Sequence, residues 1–341
     1  MSVPTILRST DAGAPTLNGT AGSLYAVFKW ALPLLGWSIE YDDGISKIAF
    51  RNDALKGSGA YFQLTDDDSH GTADARACQI KGYRSMTALD TGTDGFPASD
   101  AFLWKSQTLD ATAREYLIIG DERSFWAGLE YLEFSNTEGY RTYYIGDFNS
   151  SVAGDVPFML SFGSVPSFSN NGTASLFREA QQGWDSAIRS RATIPGGLLQ
   201  NYNGQINPQN AWFWVVNPSL NTGTSEPFGA HGSYPDPISG RTLASRIFLA
   251  DPDIVLSDSQ EHLSYRGWLR GMLNPMHFLT ADGEGEGHHS IQNDTVLGGI
   301  NNGIENVSVL YVRGCYAMGN PNRQDFEHAY FFDIDTDWNN F

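Results

Sequence analysis

The strongest constraint on this chain is its punctuation. Short runs rich in aromatic and β-branched side chains alternate with turn clusters of Asp, Gly and Asn over most of its length. That rhythm specifies strands joined by tight turns. Residues 37–41 and 45–50 flank Asp42-Asp43-Gly44, and residues 115–119 and 124–131 flank Gly120-Asp121-Glu122-Arg123. Each set reads as a β-hairpin. Further strands are predicted over 60–64, 75–83, 142–146, 157–162, 212–216, 245–249, 267–273, 307–312 and 329–334, with polar loops over 66–71 and 90–101. The implied fold class is mainly β, as antiparallel β-sandwich or barrel-like domains.

Two stretches break the pattern. Residues 24–35 place Leu24, Val27, Phe28 and Ala31 on one helical face, with Ser23 as the cap and Pro33 ending or kinking the helix. Residues 175–191 space Leu176, Ala180, Trp184 and Ile188 near four apart, which predicts a small helical insertion closed by Pro195-Gly196-Gly197. The expected organisation is an extended N-terminal arm over 1–23 and a β-rich domain with the early helix over 24–163. An insertion with long loops over 164–240 and a β-rich C-terminal part over 241–341, packing on 24–163, complete it. The arm is turn-rich and core-poor, so it is the expected docking segment, adding as a strand to a neighbour's sheet edge. Deleting residues 1–20 is then expected to leave a folded but assembly-deficient protein.

Composition narrows the function classes. With 21 basic against 39 acidic residues the net charge is −18, so the basic footprint of a nucleic-acid binder is missing and anionic membrane surfaces are disfavoured. Acidity of this size favours solubility or docking onto a basic partner. The longest apolar run, 24–37, contains Lys29 and Pro33 and is too short to span a bilayer, so no membrane insertion is expected. Met1-Ser2-Val3-Pro4 does not open a secretory signal, which predicts synthesis in a cytoplasm and makes the sequons at Asn18, Asn149, Asn171, Asn293 and Asn306 chance matches. Cys78 and Cys315 are far apart and fit reduced core residues better than a disulfide or zinc site. The 20 Phe, 15 Tyr and 9 Trp, set against a charged fraction of 18%, suit a β core and buried protein contacts.

Candidate chemistry is sparse. Glu284, Glu286, His288 and His289 have metal-binding side chains, but their spacing matches no zinc or iron motif and the intervening glycines preorganise poorly. Asp333, Asp335 and Asp337 resemble the front of a calcium loop, but Trp338 occupies the glycine position, and a terminal strand with exposed carboxylates on alternate residues explains them better. His231 and His262 stand alone and read as structural. Arg266 and Arg270, four apart on a strand, are expected to make an internal ion pair or to contact an acidic neighbour. No nucleophile elbow, zincin motif, dinucleotide fingerprint or P-loop occurs. The expectation is a non-enzyme, with no catalytic, cofactor-binding or metal residues assigned. Paired carboxylates for glycoside cleavage remain open.

Several short motifs carry a family resemblance. They are Ser9-Thr10-Asp11-Ala12-Gly13-Ala14-Pro15 with Gly19-Thr20-Ala21-Gly22-Ser23-Leu24, then Gly82-Tyr83-Arg84-Ser85-Met86 leading to Asp90-Thr91-Gly92-Thr93. Trp104-Lys105-Ser106 with Ala111-Thr112-Ala113-Arg114 and Gly120-Asp121-Glu122-Arg123, and Tyr265-Arg266-Gly267-Trp268-Leu269-Arg270-Gly271, complete the set. Together they resemble a group of virion structural proteins of tailed bacteriophages. The early helix departs from that group's pattern: where its members carry a polar pair and a cysteine, this chain has Phe28-Lys29-Trp30-Ala31-Leu32-Pro33. The resemblance implies a tail, baseplate or neck component, made in the host cytoplasm and built into the virion. Its implied partners are other virion proteins and copies of itself in a symmetric trimer or hexamer. The rival readings are a glycan-binding or glycan-cleaving tail protein, prompted by the aromatics at 212–214 and the loop 217–240, and a capsid decoration or head-fibre protein.

Overall fold

The computed structural model describes residues 3–69, 75–106, 108–130, 140–160, 193–195, 197–200, 206–207, 212–216, 244–251, 264–275, 294–301, 305–314 and 328–339. The chain is mainly β, with antiparallel sheets and, among the described residues, the single α-helix α1. That helix is too short and too mixed to cross a membrane.

The chain opens with β1 (Thr5–Arg8) and α1 (Ser23–Leu34). Next come β2 (Ser38–Asp42), β3 (Lys47–Arg51), β4 (Tyr61–Thr65), β5 (Ala77–Tyr83), the small β6 (Ser85–Ala88)–β7 (Thr91–Thr93) ribbon and β8 (Phe96–Trp104). β2, β3, β4, β5 and β8 form a five-stranded antiparallel sheet in the order β2-β3-β4-β5-β8. The loop expected over 90–101 is therefore largely strand. Its Gly, Thr and Asp residues suggest a turn, but Phe96 and residues 101–104 are buried and β5 supplies the backbone partners.

The remaining described strands, together with β1, build one large sheet. It comprises β9 (Tyr116–Gly120), β10 (Ser124–Glu130), β11 (Tyr140–Asp147), β12 (Asn149–Ser150) and β13 (Val156–Leu160), then β14 (Thr193–Pro195), β15 (Gly197–Gln200), β16 (Ile206–Asn207) and β17 (Trp212–Val216). β18 (Ala244–Asp251), β19 (Ser264–Pro275), β20 (Thr295–Asn301), β21 (Asn306–Gly314) and β22 (His328–Asp333) follow. Its main path runs β1-β9-β10-β11-β21-β22-β19-β18-β17-β14. The path bends back on itself, because β12, directly after β11, pairs with β19 through Asn149↔Trp268. No strand was expected at β20; its Gly298 and Gly299 sit in an irregularity between Leu297 and Ile300.

Strands β9, β10 and β11 form a wall buried on both faces. Tyr116, Ile118, Phe125, Ala127, Tyr143 and Ile145 face a first core, shared with α1 and the five-stranded sheet. Their sequence neighbours Leu117, Ile119, Trp126 and Tyr144 face a second core, shared with β19, β21, β22 and Trp338. The alternation follows from the two-residue repeat of a strand. Sandwich-like packing on both sides follows from it, and it is why these strands read as dense apolar runs.

Two expectations about the ends of this architecture change. Residues 5–8 are not a free arm: Thr5↔Gly120 to Arg8↔Leu117 pair β1 with β9 of the same chain. Leu17 is fully buried and bridges to Arg114. Strand addition does occur here, but within the chain, because Leu7 and Leu17 have apolar surface to bury. In the stretch 164–240, the strand expected at 212–216 is β17, and the other described residues are sheet as well, supplying β14 to β16. The predicted helix over 175–191 and the loop 217–240 lie outside the described residues.

Helix α1 also starts differently from its sequence signature. Ser23 is its first residue, and its hydroxyl donates to Asn18 O (2.7 Å). The free amides of Leu24 and Tyr25 are met instead by Asp66 Oδ2 at 2.8 and 3.0 Å. A buried carboxylate satisfies the orphan donors and suits the positive end of the helix. Pro33 lies in the last turn, and Gly36 at φ +97 redirects the chain into β2.

Candidate functional site

The β9–β10 turn, Gly120 to Arg123, does not project into solvent. Asp121 Oδ1 accepts the amides of Arg123 and Ser124 at 2.9 and 3.0 Å, which turns the carboxylate inward. There it meets Arg270 of β19 in a two-pronged pair, Nη1 to Oδ1 at 2.8 Å and Nη2 to Oδ2 at 2.5 Å. The guanidinium also donates to Ser124 Oγ (2.9 Å) and Asn339 Oδ1 (3.1 Å). The side chain of Arg270 is 0% exposed and that of Asp121 2%. Burial opposes the charge on Arg270, but Asp121 outweighs it and raises the guanidinium pKa.

Glycine places this arginine. Gly271 adopts φ +67, and a Cβ there would lie 1.8 Å from the Trp338 ring. The indole therefore lies directly on the backbone beside Arg270, while Trp338 Nε1 donates to Asp333 O (2.9 Å). No side chain larger than hydrogen fits between them.

A second carboxylate extends the cluster. Asp147 Oδ1 accepts from Asn52 Nδ2 (2.8 Å) and Ser58 Oγ (2.6 Å), and Oδ2 from Ser58 N (2.8 Å) and Arg123 Nε (3.3 Å). Burial pushes its pKa above the ordinary carboxylate range, with Ser58 and Arg123 pulling the other way. Asn339 Oδ1 links the halves by accepting from both Arg123 (3.0 Å) and Arg270. Tyr144 donates to Asp147 O at 2.5 Å and accepts from Arg270 N at 3.3 Å, and burial pushes its phenol up to about 12. The cluster ties together the 52–58 loop, the β9–β10 turn, the end of β11, β19 and the C-terminal segment. Each of its two aspartates is saturated by donors, and an arginine cannot give up its proton. The arrangement fixes charge in place and acts as a joint.

A second, separate buried pair lies at the end of the five-stranded sheet. Lys105 Nζ donates to Asp66 Oδ1, and both side chains are 0% exposed. The same amine donates to Thr20 O at 2.6 Å. Cys78, on β5 between the strands that carry the pair, is buried, and burial pushes its thiol well above the ordinary value.

The residues singled out by sequence fare unevenly. Arg270 makes the expected internal ion pair. Asp333 is not an exposed strand carboxylate: it is fully buried and accepts from Asp335 N (3.0 Å), Thr336 N (2.9 Å) and Thr336 Oγ1 (2.8 Å), closing the turn after β22. Asp335 accepts from Ser308 N of β21 (2.6 Å) and Asp337 from Asn339 N, so the three carboxylates do not converge on one site. Trp212 and Trp214 lie on β17, which pairs with both β14 and β18. Glu284, Glu286, His288, His289, His231, His262 and Cys315 fall outside the described residues. Sequence reasoning missed Asp121, Asp147, Asp66 and Lys105. Lys105 and Asp121 stand within the resemblance motifs, but nothing local marks them as inward-facing. No family model matches the chain, and no curated protein matches it.

Proposed function

We propose that this chain is a structural component of a tailed-bacteriophage virion, in the tail, baseplate or neck, that works by assembling with other virion proteins and with copies of itself. One observation carries the reading: the motifs behind the resemblance do scaffold work. Lys105 and Arg114 are buried, Asp121 and Arg270 form the central joint, and Gly271 admits Trp338. Gly82 lies against the Phe96 ring, 2.3 Å from where a Cβ would stand. Residues that act on an external substrate would converge on an accessible cleft, whereas these side chains converge on packing and enclosed pairs. A wall buried on both faces and pinned by enclosed charges suits a part that bears load without changing shape. Mass spectrometry of purified particles tests the proposal. The chain should be present at a fixed ratio to the other virion proteins, and its absence from intact particles rejects the reading.

A further inference from the structure

We propose that Lys105 and Asp66 condense to an intramolecular amide, a covalent isopeptide bond across the end of the five-stranded sheet. The proposal does not depend on the virion reading.

The geometry supplies each part such a reaction needs. The amine and the carboxyl group are in hydrogen-bond contact and enclosed, so no water competes at the reacting carbon. Thr20 O holds the amine in place at 2.6 Å, and the strands β4 and β8 hold the two backbones, so the encounter is already intramolecular. The two carboxylate oxygens are in different settings. Oδ2 receives the Leu24 and Tyr25 amides at 2.8 and 3.0 Å, at the positive end of α1. Those fixed donors stabilise the negative charge that develops there as nitrogen adds to the carbon. Oδ1 faces the ammonium and is the oxygen that leaves. Cys78, enclosed on β5 between β4 and β8, is a protic side chain beside the pair.

The step balances without an oxidant or a co-reactant. The Lys105 ammonium passes two protons to Oδ1, the Nζ–Cγ bond forms, the Cγ–Oδ1 bond breaks and one water departs. One proton stays on the amide nitrogen. The Arg270–Asp121 pair is equally buried but cannot follow this course, because a guanidinium does not become a free amine. The product would link the residue after β4 to the residue after β8 around β5, so that these strands could not be pulled apart by breaking hydrogen bonds alone.

The experiment is the intact mass of the full chain under denaturing conditions, followed by proteolysis. The expected protein is lighter than its sequence by one water, and its digest contains a branched peptide joining the segments around Asp66 and Lys105. The Lys105→Arg variant should show its full sequence mass. A wild-type chain at full mass overturns the proposal, and so does a water deficit that persists in Lys105→Arg, which would place the dehydration elsewhere. Should the variant fail to fold, the branched peptide in the wild-type digest decides alone.

Discussion

The two cores on either side of the β9–β11 wall are built in contrasting ways. The first is filled by residues from one continuous stretch of chain, with Phe28, Trp37, Phe62 and Phe125 meeting edge to face at centroid distances of about 5–6 Å and Phe50 stacked on Phe62, both usual for aromatic pairs. The second draws Leu117 and Trp126 together with Leu269, Leu310, Phe332 and Trp338, which are far away in sequence. It also carries the buried joint between Asp121 and Arg270, residues 149 positions apart. The buried pair beside the first core, Lys105–Asp66, joins residues only 39 positions apart. A core assembled at long range pays a larger ordering cost, and a buried ion pair can fix its register because only one alignment satisfies both charges.

The comparison can be broken most directly at the joint. Arg270→Met leaves Asp121 buried without its counter-charge and should cost about 3–5 kcal/mol of stability, measured by chemical denaturation. Asp121→Leu combined with Arg270→Met should recover much of that loss. A double variant as unstable as the single one would mean the joint does more than balance charge.

Trp338→Ala should cost roughly 3–5 kcal/mol by opening a cavity over Gly271. Hydrogen exchange sharpens the contrast: β19, β21 and β22 should lose protection while β2 to β5 keep theirs. Equal loss on both sides of the wall would show that the cores are one unit.

At the first core, Leu17→Ala should cost about 2–5 kcal/mol because Leu17 is fully enclosed. A cost near zero would restore the view of residues 1–23 as a free arm.

Asp147 gives a pH test. Burial raises its folded pKa above the ordinary 3.8, so the native state keeps a proton that the unfolded chain releases. Stability from this group is therefore present below 3.8 and is lost as pH rises through the interval up to the folded value. Asp147→Asn cannot titrate. Its destabilisation relative to wild type should shrink between acid and neutral pH, and a gap independent of pH would refute the assignment.

The smallest effect is expected at the rim. Arg8 and Asp294 pair at 2.5 Å with side chains 33% and 31% exposed. Asp294→Asn should cost about 0.2–1 kcal/mol, and less in high salt.

Local signals made much of the fold legible. Asp42-Asp43-Gly44 and Gly120-Asp121-Glu122-Arg123 separate runs rich in aromatic and β-branched residues, and both turns close hairpins. The helix over Ser23–Leu34 was likewise readable from its spacing. What misled were segments whose conformation is decided by a distant partner. Residues 5–8 and 96–101 look loop-like alone and become strand because β9 and β5 offer unpaired backbone.

For the candidate joint, the chain by itself determined that Arg270 stands on a strand in an acidic protein, where pairing is expected. Only the tertiary structure decided that the partner is Asp121, that Asp147 and Asn339 complete the cluster, and that Lys105 faces Asp66 and not solvent. The reason is physical. Periodicity sets which face a side chain takes, but the charge it meets depends on how sheets close over one another, and that closure is a property of the whole chain.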